Sequence, residues 1–116
     1  MTQGARGEGY IDEENQQYPV LFTNRALAEA ERALDQTILE LMQNATRLGI
    51  NAMATLLKIG LEEARKERRD NHAAYTVPDA IRIMDEFGYG RVTTVVAGAM
   101  AAVVTYSKEG SESPPG

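Results

Sequence analysis

The sequence contains no cysteine and no tryptophan, and it has a single histidine, His72. Without cysteine the chain has no disulfide, no thiolate nucleophile and no cysteine-based zinc site, and its redox compartment stays open. A metal site built around one histidine would need carboxylates for every other ligand. We therefore interpret His72 as an ordinary residue of a polar loop, and the sequence predicts no metal site and no cofactor.

The sequence also lacks a basic excess. Its 12 Lys and Arg residues are outnumbered by 17 Asp and Glu residues, which gives a net charge of −5. Binding to phosphates requires clustered Lys and Arg side chains. The one basic run, residues 65–69, is interleaved with acidic residues, and a mixed run of this kind is typical of a solvated face. The composition therefore predicts no nucleic-acid partner and no binding to an anionic membrane.

No long hydrophobic run is present. The longest uncharged apolar stretch, residues 92–106, is shorter than the ~20 residues that a membrane-spanning helix needs. Residues 1–9, MTQGARGEG, carry no apolar segment of the kind that a secretory signal contains. These two features predict a cytoplasmic protein without a membrane anchor.

Familiar catalytic patterns are missing as well. The sequence has no defensible Ser/His/Asp grouping, no HExxH motif and no glycine-rich phosphate loop. Glu29 and Glu31 lie near the centre of the first predicted helix, but a catalytic carboxylate would need a second acid or base converging on it. We interpret Glu31 as a residue at the border of an apolar stripe, and the sequence does not predict an enzyme.

What the sequence does contain is enough apolar residues for one modest core. Its 116 residues are 43% hydrophobic and 25% charged, which is typical of a single globular domain. The prediction is a disordered leader at residues 1–8, one folded domain at residues 9–106 and a disordered tail at residues 107–116. The predicted fold class is mainly α (α+β), with a short N-terminal β-hairpin followed by four or five packed helices.

The hairpin is predicted from two short β-type runs, residues 9–13 and 17–22. Pro19 cannot donate a hydrogen bond, so its strand should lie at an edge or bond only through its other residues. Leucines spaced seven residues apart then mark one apolar helical stripe through residues 24–48. Thr37 and Glu40 form a capping-box pattern, which predicts either two helices with a break near Asp35 or one bent helix.

Further helix boundaries follow from capping residues. Gly49 suits the left-handed position after a helix, and Asn51 suits the cap of the next helix. Gly60 lies within an apolar stripe, which predicts close approach of another backbone. A helix starting at Thr76 and closing at Gly88 is predicted next. The last helix, residues 91–106, has small residues on its second face, which either pack against the hairpin or serve self-association or a partner helix.

The order of these segments resembles the small tail assembly chaperones of long-tailed bacteriophages and gene transfer agents. A strand ending in PVLFT leads into ALAEAERAL, a break and TILELM, followed by LLKIGL, the helix start TVPD and a closing helix rich in Val and Ala. The resemblance spans residues 9–106.

The resemblance implies a short-form chaperone that binds the tape measure protein and keeps it soluble while tail tube protein polymerises around it. Such a protein acts in the cytoplasm of the infected or host bacterium, needs no nucleotide and is absent from the finished particle. Excess apolar surface then suggests that the client would contact Val95, Ala99, Met100 and Val103 on the last helix, together with Leu57 and Leu61. Self-association into a homo-oligomer is a separate expectation. The alternatives are a structural head–tail or tail component of a virion, and a small acidic helical regulator.

Overall fold

The computed structural model describes residues 7–13 and 16–112, and the ends of the predicted leader and tail lie outside these residues. The hairpin consists of β1 (Glu8–Glu13) and β2 (Gln16–Leu21), which pair antiparallel with Tyr10 opposite Pro19. Phe22 N donates to Gly7 O at 2.8 Å. Because hydrogen-bonded pairs alternate along an antiparallel ladder, Pro19 falls where its nitrogen points away from β1. The missing N–H therefore costs the hairpin no hydrogen bond.

Two separate helices follow the hairpin, which confirms the predicted alternative of two helices with a break near Asp35. Helix α1 covers Asn24–Leu34 and α2 covers Ile38–Gln43. Between them Asp35 adopts a left-handed conformation, with φ of 54°. Thr37 and Glu40 form the predicted capping box, with Glu40 N donating to Thr37 Oγ1 and Thr37 N donating to Glu40 Oε1. A 3-10 turn, Ala45–Arg47, ends this segment.

Helix α3 (Ile50–Glu67) starts two residues earlier than predicted, because Gly49 rather than Asn51 is its cap. Gly49 has φ of −73°, so the expected left-handed conformation is wrong. The chain leaves the 3-10 turn in an extended conformation and enters α3 directly. Gly60 does mark a close approach, but side chains make it: a β-carbon there would lie 2.9 Å from Phe22 Cε2 and 3.2 Å from Val20 Cβ.

The last two helices are α4 (Val77–Phe87) and α5 (Tyr89–Glu112), and α5 is longer at both ends than the predicted range. The predicted boundaries of α4 are confirmed by a capping box between Thr76 and Asp79 and by Gly88 at the end, with φ of 97°. Across residues 7–13 and 16–112 no single helix is long and apolar enough to span a membrane. Only α4 and α5 together reach the required length and hydropathy, across a bend of 117°.

Helix α3 lies at the centre of the domain, in contact with β2, α1, α4 and α5. The predicted architecture, a hairpin followed by packed helices, is confirmed. Strand β1 packs against α5, so the two ends of the described chain meet. At this junction a β-carbon on Gly7, whose φ is 82°, would lie 2.2 Å from Phe22 O and 2.4 Å from Val103 Cγ2. Only glycine fits this position.

Candidate partner-binding surface

Most of the residues predicted to contact a partner lie in the core. Their exposed fractions are 2% for Ala99, 2% for Met100, 8% for Val103, 0% for Leu57 and 1% for Leu61. Val95 is half-buried, and its Cγ1 lies 3.0 Å from the β-carbon position of Gly9 in β1. In the folded domain these six residues therefore form no open surface. A partner reaches the buried five only where a covering element moves.

The small residues of α5 divide between two environments. One side of the helix packs on β1, as the simpler of the two interpretations predicted. The opposite side exposes Thr94, Gly98 and Thr105. The Thr94 and Thr105 hydroxyls donate to carbonyls of their own helix, at 3.0 Å to Gly90 O and 2.8 Å to Ala101 O. Between residues 94 and 105 this outer side is small and uncharged, and its hydroxyl donors are already in use.

Large apolar side chains are exposed elsewhere, on α2 and at the start of α3. Leu39 is 64% exposed and Ile50 is 50% exposed. The sequence itself contains a signal for the exposure of Leu39. Leu39 lies two residues before Leu41, and two residues on a helix are 200° apart. A leucine in that position must face away from a neighbour that is in the core.

The attachment of α2 to the rest of the domain depends on few side chains. Helix α2 has six residues and contacts α1, α5 and the 3-10 turn. Only Leu41 is fully buried, at 0% exposed, whereas Ile38 and Met42 are half-buried. Burial of one leucine contributes roughly 1.5–3 kcal/mol, and a helix this short is unstable without packing. Helix α2 is thus held mainly by one leucine and its polar contacts.

Two hydrogen bonds hold the ends of this segment. At its start, Ile38 N donates to Glu31 Oε2 at 2.8 Å. At its end, the Tyr89 hydroxyl donates to the backbone carbonyl of Leu48. Glu31 therefore does more than border the apolar stripe, because its carboxylate caps the following helix. The sequence spacing alone could not show this contact, since it depends on the turn at Asp35.

One buried polar atom lies on α5, one helical turn after Tyr89. The hydroxyl of Thr93 is buried, with the residue only 5% exposed, and it makes no hydrogen bond within the described part of the chain. An unsatisfied buried hydroxyl is costly, typically by about 1–3 kcal/mol. The side of α5 that carries Thr93 therefore contains a buried hydroxyl without a hydrogen bond, which is unusual for a core surface.

The corner between α1 and α2 is acidic. An open cleft of about 250 Å³ is lined by Glu31, Asp35, Gln36, Thr37 and Glu40. Within residues 7–13 and 16–112, no three His, Cys, Asp or Glu side chains are grouped to hold a metal ion. Three carboxylates around an open cleft make a region that attracts cationic side chains, in keeping with the negative net charge of the chain.

A second charged group joins α3 to the loop before α4. The guanidinium of Arg65 forms two hydrogen bonds to the Glu62 carboxylate, both 2.9 Å long, and Tyr75 N donates to Glu62 Oε2 at 2.6 Å. These contacts, the Arg65 hydrogen bonds first, lower the pKa of Glu62 to about 2, although burial acts against them. Burial raises the pKa of Tyr75, and its ring stacks on the exposed His72.

Comparison with known proteins adds no relative to this description. No protein-family model, no curated protein and no solved structure matches the chain.

Proposed function

We propose that this protein is a tail assembly chaperone that binds a long, helical tape measure protein and keeps it soluble while the tail tube assembles around it. The proposal starts from the order of sequence segments that resembles such chaperones. The described fold supports it by placing a hairpin, a broken helical pair, a central helix and two further helices in the order of those segments.

The observation that carries the proposal is the exposed leucine on α2. Leu39 is 64% exposed on a short helix that borders an acidic cleft. A chaperone for helical clients needs apolar side chains that a client can cover, together with charge that keeps the complex in solution. Leu39 supplies the first of these features, and the carboxylates of the cleft supply the second.

The test is co-expression with the large helical protein encoded just downstream. We expect that protein to remain in the soluble fraction and to co-purify with the chaperone, and we expect Leu39→Glu to reduce the recovered complex. The matched control is Ala74→Glu, at an exposed position in the loop between α3 and α4, which should leave recovery of the complex unchanged and so separates loss of client binding from a general effect of added charge.

The alternatives give different results. Recovery of this chain in purified particles, with no effect on client solubility, would favour a structural tail component. Binding of promoter DNA without any effect on the client would favour a small acidic regulator.

A further inference from the structure

We propose that residues 38–48, which we call the strap, cover a client-binding surface on α5 and leave it when a client binds. The client would be an amphipathic helix with basic residues along its polar border. It would first contact the exposed Leu39 and then take the place of α2. This inference rests on the proposed function and names the site at which the client binds.

The strap is built to detach as a unit. It begins after the left-handed residue Asp35 and ends at the extended residue Gly49, so both ends are turns rather than continuous helix. Between them only Leu41 and Ala45 are buried. Rotation at two turns can move such a segment without unfolding α1 or α3.

The surface beneath the strap belongs in part to α5. Both α2 and the 3-10 turn contact this helix, and Tyr89 on α5 holds the strap through the Leu48 carbonyl. Thr93, one turn further along α5, has a buried hydroxyl that finds no partner among the described residues. Departure of the strap would uncover part of the apolar side of α5, the helix that carries Ala99, Met100 and Val103. The burial of these residues in the free protein is then compatible with client contact.

The chemistry of the client follows from the side chains that α2 places on this surface in the free protein. Helix α2 presents one buried leucine between half-buried Ile38 and Met42, which is the apolar side of a short amphipathic helix. Next to it lies the acidic cleft, in which Glu31 and Asp35 stay in place when the strap leaves. A helix with Leu-type residues on one side and Lys or Arg at the border would match both features.

The first experiment measures hydrogen exchange in the free full-length protein. Tyr89→Phe removes the hydroxyl that holds the end of the strap, and Glu31→Gln weakens the cap at its start. We expect each variant to raise the exchange rate of amides in the strap about fivefold, the effect of one lost hydrogen bond, with α3 unchanged. Tyr75→Phe is the matched control, because it removes the hydroxyl of a tyrosine in the loop between α3 and α4 and should leave the strap unaffected.

The second experiment uses a synthetic amphipathic helical peptide of leucine and lysine as the probe. We expect Tyr89→Phe to bind it about fivefold more tightly than the parent protein, and Tyr75→Phe to bind it with unchanged affinity. We also expect the bound peptide to speed exchange in the strap while it slows exchange in α5. Slower exchange in the strap on binding, or unchanged affinity of Tyr89→Phe, would overturn the proposal.

The two proposals fail in different ways. If the strap opens and the peptide binds while the tape measure client stays insoluble, the displacement proposal is supported and the proposed chaperone function is wrong. If the client co-purifies while amides in the strap become more protected from exchange, the chaperone function is supported and the displacement proposal is wrong.

Discussion

The hydroxyl of Thr23 donates a 2.9 Å hydrogen bond to Glu63 Oε2, across 40 residues of sequence. Thr23 also caps α1, since its hydroxyl accepts from Ala26 N at 3.1 Å. The same Glu63 oxygen accepts from Arg25 Nη2 at 2.9 Å, and the Glu63 side chain is only 8% exposed. A carboxylate this buried needs such donors to remain in the interior. One threonine therefore fixes both the start of α1 and its position on α3.

Replacement of Thr23 should lower the stability of the domain. We expect Thr23→Val to reduce the free energy of unfolding by about 1–2 kcal/mol, because it removes a helix cap and a hydrogen bond to a buried charge. Urea denaturation followed by circular dichroism measures the change. Thr23→Ser should restore most of it, and Thr55→Val, which removes a hydroxyl bonded to its own helix at Asn51 O, should cost less than ~0.5 kcal/mol. Equal effects of the two valine variants would contradict the prediction.

Two glycines in helices should respond to alanine with opposite signs. Gly60→Ala places a β-carbon 2.9 Å from the buried Phe22 ring, so we expect a loss of about 1–2 kcal/mol despite the better helix propensity. Gly98→Ala meets nothing within 4 Å on the exposed side of α5, so we expect a gain of about 0.5–1 kcal/mol. Thermal unfolding of the two variants checks the prediction, which fails if both are stabilised.

The Glu62–Arg65 pair should make stability depend on acidic pH. Because the pKa of Glu62 falls from 4.5 to about 2 on folding, the contribution of its charge is fully present above pH 4.5. The contribution decreases as the pH falls towards 2 and is lost below that value. We expect Glu62→Gln to destabilise the protein by about 1–2 kcal/mol at pH 7.

The difference between the parent protein and Glu62→Gln should shrink steadily between pH 4.5 and pH 2. Denaturant titrations at a series of pH values provide the measurement, with Glu86→Gln, on the exposed side of α4, as the control. A difference that stays constant across this range would show that the charge of Glu62 does not contribute.

The turn between α1 and α2 offers a test of backbone strain. Asp35 has φ of 54°, a conformation in which glycine is favoured. We expect Asp35→Gly to stabilise the domain by about 0.5–1 kcal/mol. Asp85→Gly, at an exposed position within α4, should instead destabilise the domain by about 0.5–1 kcal/mol. Loss of stability in both variants would mean that the Asp35 side chain matters more than its backbone conformation.

Local features of this fold were predictable because their causes lie within a few residues. The capping boxes at Thr37 and Thr76 each depend on a side chain three residues away, and both are present in the structure. The same holds for Gly88, whose positive φ ends α4. Such interactions are specified by the sequence itself, whatever the rest of the chain does.

Features that depend on distant residues were less predictable. The stripe on α5 predicted an apolar surface, but periodicity cannot distinguish a side that faces a partner from a side that faces β1. Gly49 was predicted to be left-handed from its position after a helix, yet its conformation is set by the entry into α3. Glu31 reaches Ile38 across the turn at which the left-handed Asp35 ends α1. Each of these outcomes depends on three-dimensional packing.

The contact between β1 and α5 also determines when the protein can fold during its synthesis. The hairpin emerges from the ribosome before α5, the helix that packs on it. A nascent chain whose α5 is still in the exit tunnel therefore cannot complete its core, because Gly7 and Val103 cannot yet meet. Folding of this domain must follow the emergence of α5, and a chain stalled before that point would expose Phe22 and Ile11 to the chaperones of the cell.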